Sequence, residues 1–394
     1  MCEIPGNFPV LNIKLHPMKI RLFLLLNCFF GVFVLSSSCR NEKIEGIIDL
    51  TNTADLINGI HISDIAESVT MVPLETLEES LIKYPRRIKF SAKKYFIESG
   101  NQVYMFDADG KYLKKIGKIG RGPDEYGAMS DFAVDTEIGI IAILARPPSV
   151  VFLYNFEGIL VDQINVVETA TTIGLSSGNI VIHCDNYSGT SPFSFCIYSM
   201  QGELLATRPN YYKFECDFSQ GTLTAANEAF FSYNAQKLLV KEFHSDTIFW
   251  IDGLDFIPAY ILYSGEYRYT PEHRAQQTVY DVRDFLRIVN VFFLDDYLIV
   301  RYALLDKRVL LMHNTRTNKN TLIDIIEGIP DDLLTGLVLK EYLPGPENSI
   351  LNWANALPVL ENYRSGNMIG DLPINVKDQL TESSNPVLMQ YKLK

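Results

Sequence analysis

The side chains best suited to chemistry lie together in one glycine-rich stretch, residues 120–126, which reads GRGPDEY. Arg121 offers a planar fork of hydrogen-bond donors, and Asp124 and Glu125 offer two carboxylates. Tyr126 adds an aromatic face with a hydroxyl. These groups could bind a sugar or a peptide, or supply the two acids that glycoside hydrolysis requires. Adjacent residues rarely point the same way, so we do not expect Asp124 and Glu125 to form that pair by themselves.

The same stretch also has a purely structural interpretation. Glycine and proline favour specific turns, so residues 120–126 would shape a crossing between two elements of the fold. Arg121 and Glu125 would then form an ion pair or cap backbone amides. We favour this structural interpretation, and we keep Arg121, Asp124, Glu125 and Tyr126 as candidate ligand-binding residues.

Other kinds of reactive site are not predicted. The histidines after the leader have no partner at a zinc-ligand spacing. The sequence has no Gly-x-Ser-x-Gly elbow, and residues 117–122 do not end in the Lys-Ser/Thr pair of a P-loop. We therefore predict no metal, no cofactor and no catalytic residue. The histidines considered are His61, His183, His244, His273 and His313.

The charge balance excludes one class of partner. The 394-residue chain has a formal net charge of −12, so nucleic acid is not expected to bind. Residues 83–121 depart from this balance, with eleven Lys or Arg against three acids, a local charge of +8. This run predicts a basic outer face or a contact with an acidic ligand or an anionic surface.

The N-terminus reads as a targeting segment. A short basic region ends at Arg21, and the apolar run 22–35 follows it, too short for a comfortable membrane span. Small residues then lead to Cys39, the position of the lipidated cysteine in a bacterial lipoprotein signal. We predict a lipoprotein signal peptide over 18–38, lipidation of Cys39 and a tether over 39–64. Residues 1–17 look like an upstream mis-start. The alternative is a plain signal peptide with an incidental Cys39.

Strand signals dominate the rest of the chain. Two β-prone runs flank Asp107–Gly110 in the pattern of a tight hairpin. The unit returns with turn glycines at Gly158 and Gly202, 48 and then 44 residues further on. Periods of 40 to 50 residues with several strands each are typical of propeller blades. The sequence therefore predicts an all-β propeller over 65–394.

Two further features complete the predicted architecture. Thr270 and Pro271 are suited to start a helix, and apolar residues at helical spacing as far as Val289 predict a helical insertion. Residues 330–335 could form a second, shorter helix. We expect the final strand, 385–394, to pair with an early strand at 69–72, because a ring of blades must close or leave exposed edges.

Several segments in order resemble the six-bladed β-propeller lipoproteins of gut-dwelling Bacteroidetes, a family distantly similar to the NHL-repeat propellers. The similarity spans essentially the whole mature chain. Asp124 departs from the family pattern, which more often has glycine there. The resemblance implies a six-bladed propeller and no particular activity. The matching segments are 72–76, 80–82, 106–111, 117–126, 245–248 and 385–388.

The combined prediction is an exported, non-catalytic lipoprotein of the cell envelope, anchored to the outer membrane only through its lipid. Its propeller would bind a glycan, a peptide or an envelope protein. One alternative is a carboxylate-based polysaccharide lyase or glycoside hydrolase. The other is a structural component of an outer-membrane uptake assembly, which would present a large apolar patch.

Overall fold

The computed structural model describes residues 44–166, 169–215, 228–234, 237–276 and 281–394. The predicted signal peptide and Cys39 lie outside the described residues. No helix in the described part of the chain is long and apolar enough to cross a membrane.

The chain forms a six-bladed β-propeller. Before the first complete blade, it contributes three strands to later blades: β1 (Gly46–Asp49), β2 (Leu56–Ile57) and β3 (Ala66–Pro73). Blades 1, 2 and 3 are four-stranded antiparallel sheets built from consecutive strands. Blade 1 contains β4 (Arg87–Ser91), β5 (Lys94–Ser99), β6 (Gln102–Asp107) and β7 (Tyr112–Ile116). Blade 2 contains β8 (Met129–Asp135), β9 (Ile140–Ala145), β10 (Val150–Asn155) and β11 (Leu160–Asn165). Blade 3 contains β12 (Ala170–Ser176), β13 (Asn179–Cys184), β14 (Phe193–Ser199) and β15 (Leu204–Pro209).

Blades 4, 5 and 6 each take an outer strand from the N-terminal segment. Strand β1 pairs parallel to β19 in blade 4, β2 pairs parallel to β23 in blade 5, and β3 completes blade 6. The other strands of blade 4 are β16 (Ala229–Asn234), β17 (Lys237–Glu242), β18 (Thr247–Asp252) and β19 (Asp255–Tyr263). Those of blade 5 are β20 (Arg287–Leu294), β21 (Tyr297–Leu304), β22 (Lys307–Asn314) and β23 (Lys319–Asp324). Those of blade 6 are β26 (Leu343–Pro344), β27 (Ser349–Ala354) and β28 (Val387–Leu393). The short pair β24 (Ile329–Pro330) and β25 (Val338–Leu339) lies between blades 5 and 6 in the sequence.

The expected closure of the ring is confirmed. Strand β28 pairs antiparallel with β3, with Leu388 opposite Val72 and Tyr391 opposite Val69. The last and first parts of the domain therefore share one sheet. The prediction of a tether over 39–64 is wrong for β1 and β2, because their backbone groups pair with blades 4 and 5 instead of with water.

The predicted hairpin at Asp107–Gly110 is also present and supports this closure. The Asp107 carboxylate accepts hydrogen bonds from the backbone N–H groups of Asp109 and Lys111, at 3.0 and 2.8 Å. Gly110 has φ +84°, and a Cβ atom there would lie 2.2 Å from the carbonyl oxygen of Pro73 at the end of β3. Glycine is thus required by both the turn and the close approach of the closing strand.

The predicted helical insertion is correct in its start and wrong in its length. Thr270 caps α2 (Pro271–Ala275), and Pro271 occupies the first turn. Val289 lies instead in β20, because residues 287–294 form the inner strand of blade 5. A separate short helix, α1 (Ile62–Ile65), precedes β3.

Residues 330–335 form the end of β24 and a turn instead of the second helix. The carboxylate of Asp331 accepts bonds from the N–H groups of Leu333, Leu334 and Thr335, which fixes the turn. The longer helical insertion, which the sequence analysis missed, separates β27 from β28. It contains α3 (Ala356–Arg364) and α4 (Ile374–Lys377).

Three of the described histidines, His183, His244 and His313, are buried inside the propeller. His183 on β13 is buried and hydrogen-bonded to Thr171 Oγ1 at 2.8 Å. Burial lowers the pKa of His183 to about 3. Burial also lowers the pKa of His244 to about 3, against a smaller opposing effect of its bond to the Tyr269 carbonyl. The rings of His183 and His244 are therefore neutral in the folded protein at neutral pH.

The first prediction concerns closure. A chain that lacks residues 387–394 should not fold cooperatively, because β3 and β27 lose the strand between them and expose two edges. The Leu388→Ala variant should lose roughly 3 kcal/mol, since Leu388 is fully buried. The exposed Lys392→Ala change on the same strand is the control. Thermal and urea unfolding measure both variants. Equal stabilities of the two would contradict the closure account.

The second prediction concerns the loss of folding stability at acidic pH caused by buried His183. Below pH 6.5 an unfolded histidine binds a proton that folded His183 does not bind until about pH 3. The stability of the wild type should therefore fall as the pH drops through this window, by about 1.4 kcal/mol per unit for each such group. His183→Gln should remove one such contribution, measured by urea unfolding between pH 7 and pH 4.5.

The exposed His61→Gln variant is the control for the acid experiment. Its pH dependence shows the effect of losing one exposed histidine. If His183→Gln matched the wild type, His183 would not be the neutral buried group described here.

The central channel as the candidate functional site

The inner strands of the six blades enclose a central cavity of about 760 Å³. Strands β4, β8, β12, β16, β20 and β26 each contribute lining residues. The inner strands run in the same direction, so their first residues lie at one end of the channel and their last residues at the other. The volume is within the range of small-molecule sites in proteins, about 300 to 1,000 Å³.

One end of the channel carries a cluster of charged side chains from blades 1 and 2. Arg87 Nη1 donates to Glu98 Oε2 at 2.5 Å, and Arg87 Nε lies 3.2 Å from Asp131 Oδ1. Arg86 Nη1 donates to the other oxygen of Glu98 at 3.2 Å. Lys89 Nζ lies 3.9 Å from Asp131 Oδ1 and donates to the carbonyl of Phe132. The cluster therefore joins the two blades.

Local sequence explains this placement. In β4 the pattern RIKFS turns Ile88 into the core and leaves Arg87 and Lys89 on the opposite, channel-facing side. Glu98 lies behind them on β5 with a side chain that is 0% exposed. A buried carboxylate requires ionic or hydrogen-bonding partners, and the two arginines supply them.

The pKa directions follow from these contacts. Burial alone would lower the pKa of Arg87, but the negative charges of Asp131 and Glu98, with the Glu98 hydrogen bond, raise it. Burial lowers the pKa of Lys89, and the attraction of Asp131 offsets this effect only in part. The Lys89 ammonium also lies 4.7 Å from the centre of the Phe132 ring.

A second ion pair lines the same half of the channel from blade 5 and the loop before β26. Arg301 Nη1 donates to Glu341 Oε2 at 3.1 Å, and its guanidinium carbon lies 5.7 Å from the centre of the Tyr342 ring. Arg301 stands opposite Asn290 in the β20–β21 pairing. Together with blade 1, blade 5 makes this half of the channel rich in arginine, and we call it the arginine end.

The opposite end is acidic. Asp135 is the last residue of β8, and Glu137, Asp295 and Glu347 follow in the turns after the inner strands. All four acids line the cavity, and no Lys or Arg belongs to the described lining at this end. The channel is therefore electrically polarised along its axis.

The section between the two ends has aromatic and aliphatic walls with a few polar groups. Phe231, Tyr233, Val134 and Leu175 contribute to it. The hydroxyl of Tyr233 donates to the carbonyl of Leu175 at 3.0 Å and accepts from its N–H at 2.8 Å. These contacts tie blade 4 to blade 3 and hold the aromatic ring in place.

The candidate ligand-binding residues that the sequence analysis proposed lie outside the channel. Arg121 and Asp124 are exposed, and Tyr126 is buried, with its hydroxyl donating to the carbonyl of Asn101 at 3.1 Å. The Glu125 carboxylate accepts from the N–H of Gly122 at 2.9 Å. Arg121, Asp124, Glu125 and Tyr126 are not among the described residues that line the channel.

This geometry agrees with the structural interpretation of residues 120–126, in which Glu125 caps a backbone amide. The stretch connects β7 of blade 1 to β8 of blade 2, and Gln163 on β11 donates to the carbonyl of Pro123 at 2.8 Å. A ligand-binding role for Arg121, Asp124, Glu125 and Tyr126 stays a prediction.

Sequence reasoning missed the channel residues to different degrees. Arg87 and Lys89 belong to the basic run 83–121, and their alternation with Ile88 could have assigned them to one face of a strand. Arg301 and Glu341 are 40 residues apart, and no local sequence pattern predicts that they form an ion pair.

The carboxylates at the arginine end suit binding better than acid–base catalysis. Glu98 and Asp131 are both held by Arg87, and the backbone N–H of Ile173 also donates to Asp131 at 3.1 Å. An acid or base in catalysis must exchange its proton with substrate, and carboxylates fixed by arginine are poorly placed for that. No group of acids, histidines or cysteines that could hold a metal ion occurs among the described residues.

The third prediction tests the buried cluster. Glu98→Gln keeps the side-chain size but removes the charge that balances Arg86 and Arg87, so the free energy of unfolding should fall by roughly 3 kcal/mol. Glu341→Gln is the matched control, because its half-exposed pair with Arg301 should contribute less than about 1 kcal/mol. Urea unfolding compares the two variants. Losses of equal size would show that burial of Glu98 has no special energetic role.

Comparison with known proteins extends the fold assignment. A crystal structure of a predicted exported protein from Bacteroides fragilis NCTC 9343 has a TM-score of 0.68 at 17% identity, over 89% of this chain and 100% of that chain. A member of the DUF4221 family from Bacteroides vulgatus has a TM-score of 0.48 at 14% identity, over 84% and 97% of the two chains. No curated protein sequence shows a significant match.

The similarity to the Bacteroides fragilis protein confirms the fold alone. The six-bladed propeller implied by the sequence resemblance is therefore established for this chain. A family model, described as a domain of unknown function, matches residues 45–392. That range includes every blade, and the chain accordingly belongs to the DUF4934 family.

Proposed function

We propose that this protein is a non-catalytic binding module of the cell envelope that takes its ligand in the central channel. The ligand presents an anionic group, such as a carboxylate of a glycan or a peptide, to the arginine end. The observation that carries the proposal is a cavity of about 760 Å³ with Arg86, Arg87, Lys89 and Arg301 at one end.

The hydrogen-bonding capacity of the arginines supports an anionic ligand. A guanidinium has five N–H donors in a planar fork. Glu341 accepts from Arg301 through Nη1, and the Arg301 side chain remains 24% exposed. Arg86 is 53% exposed beside its bond to Glu98. Both guanidiniums can therefore serve a ligand carboxylate while they keep their protein partners.

The alternative of a polysaccharide lyase or hydrolase has less support. It needs carboxylates or other proton-transfer groups that face the substrate. At the arginine end, Asp131 is engaged by Arg87 and by a backbone amide, and Glu98 is fully buried behind the lining. At that end of the channel, these contacts favour recognition over proton transfer.

Export and anchoring are part of the same proposal. The apolar run before Cys39 has the pattern of a lipoprotein signal, and the Bacteroides fragilis protein with the same fold carries the description of an exported protein. We assign the propeller to the outside of the inner membrane, held by a lipid on Cys39.

The fourth prediction distinguishes the channel from the loop at 120–126. Purified protein is screened against oligosaccharides and peptides in matched acidic and neutral forms, and the acidic forms should be retained. Arg301→Gln should then weaken binding about 10- to 100-fold, since a charge-assisted bond contributes about 1.5–3 kcal/mol. The matched control, Arg121→Gln, should bind as the wild type does. Isothermal titration measures both.

The reverse pattern would move the site to the loop. If Arg121→Gln lost binding while Arg301→Gln kept it, the channel proposal would be wrong. Turnover of any bound polysaccharide would overturn the non-catalytic assignment.

A further inference from the structure

The N-terminal segment fixes the point at which the chain reaches the propeller. The N–H of Glu45 donates to the carbonyl of Ala259 at 2.7 Å, and the indole N–H of Trp250 donates to the Glu45 carboxylate at 3.0 Å. From Gly46 onward, β1 is paired with β19 at the outer edge of blade 4. The chain is therefore held at this edge from Glu45 on.

The distance back to the predicted lipid is short. Glu45 is six positions after Cys39 in the chain, and a fully extended chain covers at most about 3.5 Å per position. The lipidated cysteine can lie no more than about 21 Å from the edge of blade 4, whatever conformation these residues adopt. The 26-residue tether expected from the sequence would have left the propeller free to take any orientation.

We propose that the outer edge of blade 4, formed by β1 and β19, is the surface of the propeller that faces the lipid bilayer. This inference rests on the proposed lipidation of Cys39. In a ring of six blades, blade 1 lies opposite blade 4 and faces away from the membrane.

The side chains at this edge suit a membrane interface. Ile47 on β1 is 70% exposed, Tyr263 at the end of β19 is 51% exposed, and Ile44 is 39% exposed just before β1. Tyrosine is enriched at the interface between a membrane and water. Insertion of the exposed Ile47 side chain into the bilayer interface would remove apolar surface from water and stabilise this orientation.

The orientation has a consequence for binding. The channel axis runs through the centre of the ring, at right angles to the direction that points outward along blade 4. With that blade toward the bilayer, neither the arginine end nor the acidic end is pressed against lipid. Both mouths of the channel then stay open to ligands in the surrounding solution.

The experiment measures energy transfer from a single tryptophan to dansyl-labelled lipid headgroups. The full chain is expressed with its own leader, purified and placed in phosphatidylcholine vesicles that contain dansyl-phosphatidylethanolamine. Both native tryptophans are replaced in a Trp250→Phe, Trp353→Phe background, which removes the Trp250–Glu45 bond but keeps the backbone bonds from Glu45 and β1 to blade 4. One tryptophan is then added as Ile47→Trp in blade 4 or as Leu113→Trp in blade 1. Leu113 is the matched control, an exposed apolar residue on an outer strand.

The expected result is several-fold stronger transfer from Ile47→Trp than from Leu113→Trp. A flexible spacer of roughly 20 Gly and Ser residues inserted before Ile44 should abolish the difference, since it spans about 25 Å by itself. Equal transfer from the two positions, with lipid on Cys39 shown by mass spectrometry, would overturn the orientation and leave the anchor proposal intact. A chain that carries no lipid on Cys39 would overturn both.

Discussion

The pairing of β28 with β3 is the contact on which the rest of the structure depends. Without a strand from the other end of the chain, β28 of the last blade would keep an unpaired edge. Here Leu388 lies opposite Val72 in that sheet, and Gly110 of blade 1 packs against the carbonyl of Pro73 at the end of β3. This pairing closes the ring of six blades, and the closed ring places the six inner strands around one channel.

The N-terminal segment extends this principle beyond blade 6. Strands β1 and β2 add a fifth strand to blades 4 and 5 before β3 closes the ring. The segment that leads from the predicted lipid therefore belongs to the folded domain almost from its start. The same pairing that stabilises the outer edges would limit the distance between the propeller and the anchor proposed at Cys39.

Local signals in the sequence account for the blades and not for the channel. The Asp107–Gly110 turn is specified within four residues, and its copies at Gly158 and Gly202 give the period. The helix after Pro271 fails as a prediction beyond Ala275, because the tertiary need for an inner strand in blade 5 overrides helical spacing at Val289. Residues 120–126 are candidate ligand-binding residues because of their side-chain types, and the Glu125 carboxylate caps a backbone amide there. Arg301 and Glu341 meet only through the closed ring, and sequence spacing does not contain that information.

The central claim is that the arginine end of the channel recognises an anionic ligand. A crystal structure of the mature chain with the tightest acidic ligand from the binding screen tests this claim most directly. The account predicts ligand density inside the channel, with an anionic group within hydrogen-bond distance of Arg301 or Arg86. Density at residues 120–126 with an empty channel would contradict it.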